Sequence, residues 1–216
     1  SGSVWLSVMF NALFFLLGSP VLLSGMRFSA IYPHAFVLGI TVLLSFGMSG
    51  YLVMITYFIF GTLVTKLGSK RKKREGTMEE NEGRRSWRSV WGSGVAAMIC
   101  ALIKISIYTI IDGENIIMKR SEYISMLRQN EQCISQLQMF MLCCDAGFLS
   151  SMASKLGDTV SSEVGKAIGK TTVLITTLER VKRGTEGAVS LEGTAAGIVG
   201  VACMVAFGKT LGVVRH

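Results

Sequence analysis

Residues 35–66 read AFVLGITVLLSFGMSGYLVMITYFIFGTLVTK, with no charged residue before Lys66. An α-helix rises ~1.5 Å per residue, so about 20 residues cross a hydrocarbon core of ~30 Å. These 32 positions are too many for one ordinary span, and Gly47-Met48-Ser49-Gly50 falls near their middle. The stretch predicts two short helices with a break, either a hairpin or one broken span. The rest of the chain fits a membrane setting. Half of its 216 residues are hydrophobic, the mean hydropathy is +0.49, and residues 1–65 carry one full charge, Arg27, beside His34.

Working outward, residues 4–24 (VWLSVMFNALFFLLGSPVLLS) predict a first membrane helix, 90–111 a fourth segment, 136–155 a weaker fifth and 195–214 a small-residue-rich sixth. Lys104 lies close enough to the end of the fourth for its side chain to snorkel to water, and Asp145 in the fifth reads as a charge near the interface. Gly193-x-x-x-Gly197, Ala196-x-x-x-Gly200 and Gly208-x-x-x-Gly212 allow the last helix to pack closely. The expected fold class is all-α: a multi-span integral membrane helix bundle of about five to six segments, some short or broken, forming a single membrane domain over 1–216.

The net charge of +8 sits in short connections between apolar runs, where Lys and Arg report topology. No nucleic-acid recognition motif accompanies it, which excludes that partner class. The basic connection 66–89 holds nine Lys/Arg against four Glu, whereas 112–135 holds three against four acids. The positive-inside rule therefore puts 66–89 and 156–193 together on the cytoplasmic side, or the stromal side of a plastid membrane. Residues 70–74, KRKKR, read as a solvated anchor against anionic lipid, with phosphate binding as the other reading. Ile117, Ile124, Leu127, Ile134 and Leu137 recur at sevens and threes, which predicts an amphipathic surface helix over 112–138. Cys100, Cys133, Cys143, Cys144 and Cys203 form no C-x-x-C pair, so neither a disulfide framework nor a metal cluster is expected.

The chemistry-bearing residues collect in 156–193, a glycine-rich charged loop. There Asp158, Glu163, Glu186 and Glu192 alternate with Lys166, Lys170, Arg180, Lys182 and Arg183. Its GKAIGKTT, 165–172, is not a P-loop: three residues separate Gly165 from Gly169, and Val164 stands where the pattern needs glycine. One reading of the charges is a solvated loop bridged internally. The other is phosphoryl transfer, which needs carboxylates for Mg²⁺, cations for phosphate oxygens and glycines that let backbone N–H groups approach. Asp158 and Glu163 are five residues apart, so on one continuous helix they diverge by roughly 140°. One metal held by both requires a break between them.

The segments GDTVSSEVGKAIGKTTVLITTLERVKRGTEGAVSLEGTAAG (157–197), GTLVTKLGSKRKKREG (61–76) and GRRSWRSVWGS (83–93) resemble the integral-membrane family that includes the phytyl-phosphate kinase of plant and cyanobacterial tocopherol synthesis. The resemblance implies transfer of a phosphoryl group from a nucleoside triphosphate, CTP by expectation, to the prenyl-phosphate lipid phytyl phosphate, giving phytyl diphosphate. It also implies Mg²⁺ at Asp158 and Glu163, catalytic roles for Lys170, Arg183 and Glu186, and nucleotide contacts at Gly165, Gly169, Gly184, Thr185 and Gly187. The implied setting is a plastid membrane, chloroplast envelope or thylakoid, and relatives are expected to continue past His216 through at least one more segment. The alternative is a non-catalytic family member docked as a subunit on a larger, photosynthetic membrane complex. A small lipid or ion carrier is a third reading.

Overall fold

The computed structural model describes residues 2–28, 34–78, 84–117 and 131–214. Its helices are α1 (Gly2–Leu17), α2 (Ser19–Gly25), α3 (Phe36–Lys66), α4 (Ser69–Glu75), α5 (Trp87–Ile117), α6 (Glu131–Ile168) and α7 (Leu191–Thr210). A small antiparallel sheet, β1 (Thr172–Leu174) and β2 (Ala188–Ser190), lies between α6 and α7, with Thr172 opposite Ser190 and Leu174 opposite Ala188. Among the described residues, Phe36–Lys66, Trp87–Thr109 and Leu191–Thr210 are long and apolar enough to cross a membrane. The apolar parts of α1 and α2 reach that length only together.

The first expected span is bent by 73° between Leu17 and Ser19. Pro20 explains the bend, because its ring has no N–H to donate and clashes with a continuing helix, so it sits in the first turn of α2 instead. The break expected in 35–66 is present at Gly47, whose φ of 63° and ψ of −157° interrupt α3. A side chain rarely adopts that φ, and glycine does so freely. The fifth expected segment is part of α6, a 38-residue helix that runs on to Ile168. The connection expected over 156–193 therefore begins as helix and turns irregular only at Gly169. The amphipathic helix expected over 112–138 has its centre, 118–130, outside the described residues; its flanks belong to α5 and α6.

α6 is the hub of the bundle and packs against α3, α5 and α7. Its Phe148, Leu149, Met152, Ala153 and Leu156 are buried, and Phe148 stacks on Phe46 of α3 at 4.3 Å between ring centres. Several polar groups inside the bundle are paired across helices. The Tyr51 hydroxyl donates to Asn11 Oδ1 at 2.7 Å, and Asn11 Nδ2 donates to the Phe36 carbonyl at 3.0 Å, which pins α1 to α3. Lys104 and Asp145 form an ion pair between α5 and α6, with the ammonium 4.8 Å from the centre of the Phe46 ring. The two charges, each expected to reach water on its own, are instead each other's nearest compensation.

Close approach of α7 to α6 rests on missing side chains. A Cβ at Gly193 would lie 2.5 Å from the Ser161 carbonyl oxygen, and one at Gly197 would lie 2.9 Å from Ser161 Cβ and 3.0 Å from the Gly157 carbonyl oxygen. At Gly200 the nearest atom would be 3.4 Å away, an ordinary contact. Gly193→Ala should accordingly lower stability by about 1–3 kcal/mol and Gly200→Ala by well under that, as read from thermal unfolding of the purified protein in one detergent. Equal melting temperatures for the two variants would contradict the packing.

Candidate functional site

The geometry starts at α4. Gly68 and Gly76 flank it in left-handed conformation, with φ of 63° and 69°, and the Gly76 N–H closes on the Lys72 and Lys73 carbonyls. This frame turns the third lysine of KRKKR, Lys72, inward. Its side chain is 1% exposed and its ammonium donates to Glu163 Oε2 at 2.5 Å and to the Thr65 carbonyl at 2.6 Å. Lys166 donates to Glu163 Oε1 at 3.0 Å. The reading of the whole 70–74 run as a solvated lipid anchor is thus corrected at Lys72, while Lys70, Lys73 and Arg74 are exposed. The same contact joins the two connections expected to share one side of the membrane.

On α6, Asp158, Ser161, Ser162, Gly165 and Lys166 follow a helical repeat of three and four and line one face. Facing them across a polar cleft of about 420 Å³ are Thr172 of β1, the turn Arg183–Gly187 and the strand Ala188–Ser190. Gly184 and Gly187 carry positive φ, 82° and 74°, which lets the turn fold back tightly. Thr77, just beyond α4, packs on Gly184, where a Cβ would meet Thr77 Cγ2 at 2.5 Å. Arg183 also acts on α4 electrostatically. Glu75 is held below the usual carboxylate range first by the Arg71 hydrogen bond and then by the positive charges of Arg183, Arg71 and Arg74. Ser190 caps α7 by accepting from the Gly193 N–H at 3.1 Å. Thr172 Oγ1 is buried and finds no partner among the described residues.

Of the expected site residues, Asp158, Gly165, Arg183, Gly184, Thr185, Glu186 and Gly187 come together around this cleft. Glu163, Gly169 and Lys170 do not line it. α6 is continuous from Glu131 to Ile168, so the break that a metal shared by Asp158 and Glu163 requires is absent and the two carboxylates point apart. Gly169 serves close packing, since a Cβ there would lie 2.9 Å from Ser190 Oγ. Lys170 has an exposed side chain, and its backbone N–H donates to Glu192 Oε1 at 3.2 Å. Sequence reasoning missed Ser161, Ser162 and Thr172 as lining groups. The two serines carried a legible signal, standing three and four residues after Asp158 on the helix.

The family described as "Integral membrane protein DUF92" matches residues 11–215. A protein of Arabidopsis thaliana named VTE6 and described as chloroplastic is 41% identical over 202 residues, which are 94% of this chain and 52% of that protein. An uncharacterised membrane protein of Synechocystis is 38% identical over 183 residues, 85% of this chain and 60% of that one. An uncharacterised membrane protein of Methanocaldococcus jannaschii is 27% identical over 175 residues, 81% of this chain and 58% of that one. The chain thus spans half to three-fifths of the length of these relatives. No solved structure matches it.

Removing one member of a buried ion pair strands its partner, which costs about 3–5 kcal/mol. Lys72→Met and Glu163→Gln should each lower the melting temperature sharply, whereas the exposed Lys70→Gln should leave it nearly unchanged. The double variant should lose less than the sum of the singles, because the two residues share one interaction. Additive losses would mean that the pair is not formed.

Proposed function

This chain belongs to the DUF92 family of integral membrane proteins, and on that premise we propose that it is a prenyl-phosphate kinase of tocopherol synthesis, moving a phosphoryl group from a nucleoside triphosphate, CTP, to phytyl phosphate. The observation that supports this most is the gathering of Asp158, Arg183, Thr185 and Glu186, with the glycines between them, on one polar cleft. The chloroplastic designation of VTE6 supports a plastid membrane, and the positive-inside rule is what directs the charged connections toward the stroma in this proposal.

In the proposed reaction a terminal oxygen of phytyl phosphate attacks the γ-phosphorus of CTP. The new P–O bond forms as the bond to the β-phosphate oxygen breaks, and CDP leaves with the electron pair. Most of the catalysis is positioning and charge neutralisation. Arg183 presents a guanidinium fork to phosphate oxygens, the backbone at Gly184–Gly187 approaches without side chains in the way, and Thr172 Oγ1 offers a hydroxyl that lacks a partner within the described protein.

The donor set also fits a nucleotide-borne Mg²⁺. Such an ion takes one or two carboxylates besides phosphates and water, and Asp158 and Glu186 both line the cleft. Among the described residues no group of three or more His, Cys, Asp or Glu side chains is arranged to hold a metal unaided. Mg²⁺ bound there would neutralise charge on the transferring phosphoryl group. Glu163, committed to Lys72 and Lys166, instead orients Lys166 along the rim of the cleft. Lys170 retains, in this proposal, at most a peripheral attraction for phosphate.

Asp158→Asn and Glu186→Gln should each reduce kcat for phytyl phosphate by about a hundred- to a thousandfold. Arg183→Lys should also be poor, because an ammonium cannot replace a bidentate fork, and Lys70→Gln should be near wild type. Full activity in Asp158→Asn would remove the cleft assignment. No transfer by the intact, inserted chain, together with a constant stoichiometric partner on purification, would favour the docked-subunit role.

A further inference from the structure

A second cavity, of about 210 Å³, lies where the bend between α1 and α2 meets α3 and the start of α5. It is apolar almost throughout. Phe15 and Leu22 line it from the bent pair, Tyr51, Met54 and Phe58 from α3. On the part of α3 that follows the Gly47 break it extends from Tyr51 to Ile59, about 12 Å of helix rise. Arg85 is the one charged residue among those lining it.

Arg85 is firmly placed. Its backbone N–H donates to the Gly25 carbonyl at 2.9 Å and its carbonyl accepts from the Arg27 N–H at 3.0 Å. The guanidinium stands 4.5 Å from the centre of the Tyr57 ring and forms no ion pair with a described carboxylate. It passes over Gly61, where a Cβ would collide with it and would also lie 4.0 Å from Thr159 Cγ2. Thr159 adjoins Asp158, so the one cation among the described residues lining the apolar cavity sits beside the helix that carries the polar cleft. An arginine with no described carboxylate partner, above an apolar hole, suits a ligand with an anionic head and an apolar tail.

We infer that this cavity seats the acceptor lipid, with the isoprenoid chain among the α1, α2 and α3 side chains and its phosphate on Arg85, directed toward the cleft. The inference rests on the phosphoryl-transfer reading for the identity of the lipid, and on the cavity and Arg85 for its location. Gly61 then has a defined role: it leaves the guanidinium room to reach from α3 to α6.

The full chain in lipid nanodiscs tests this by equilibrium binding of radiolabelled phytyl monophosphate, with phytol, inorganic phosphate and dioleoyl phosphatidic acid as competitors. Arg85→Met, which keeps the stem over Tyr57 and removes the charge, should weaken binding roughly ten- to a hundredfold. Arg85→Lys should recover part of the loss. Met54→Trp, which fills the cavity from α3, should weaken binding with Arg85 intact, and the KM for CTP should stay unchanged in all three. Phytol and phosphatidic acid should compete poorly and inorganic phosphate should not compete measurably. Unchanged affinity in both Arg85→Met and Met54→Trp overturns the inference, and so does phosphatidic acid competing as well as phytyl monophosphate, which would make the occupant a bilayer lipid. Arg85-dependent binding of phytyl monophosphate without phosphoryl transfer would uphold this site while overturning the kinase function.

Discussion

The buried ion pair between Lys72 and Glu163, extended by Lys166, is the constraint from which the rest of the cleft is assembled. Two charges this far out of water are tolerable only when their remaining hydrogen-bonding capacity is satisfied, and here Thr65 and Lys166 supply it. The pair fixes α4 against α6 across 91 residues of chain. With α4 fixed, Thr77 lies against Gly184, and the turn that bears Arg183, Thr185 and Glu186 is held over the α6 face that bears Asp158. An unfavourable burial of charge thereby becomes a device for registering two connections.

Much of the architecture was legible because it depends on properties visible one residue at a time. The apolar lengths, the break at Gly47 and the small-residue spacing that lets Gly193 and Gly197 meet α6 all reappear in the structure. So does the 140° divergence of Asp158 and Glu163, which follows from the helical repeat once α6 is continuous. What was hidden depends on register and on distant partners. Within KRKKR nothing in composition distinguishes Lys72 from Lys70 or Lys73. The choice is made by where α4 starts after Gly68, and by a carboxylate found far along the chain. Lys104 and Asp145 each looked like a charge with its own route to water, and only the packing of α5 on α6 makes them partners. Thr172 was inconspicuous because its significance comes from the strand pairing that buries it opposite Ser190.

The two cavities share no lining residue, and they are built differently. The polar cleft is made of backbone turns, hydroxyls and charges on a short hairpin, whereas the apolar cavity is made of side chains splayed by the Pro20 bend. A bundle of straight spans would provide neither. The irregularities at Gly18, Gly47 and Gly169 each mark a place where regular helix gives way to a wall or an opening.

The Lys104–Asp145 pair bears on how the protein enters its membrane. Lys104 lies within the apolar span Trp87–Thr109, and its counter-charge comes 41 residues later. Until Asp145 has been synthesised, α5 alone presents an uncompensated ammonium to the lipid, a penalty of up to about 3 kcal/mol at the centre of a span and less toward its ends. Pairing removes that penalty, so α5 partitions more readily as a hairpin with α6 than as a solitary helix. Insertion of α5 and insertion of α6 are therefore favourably coupled, each helix carrying the charge that the other neutralises.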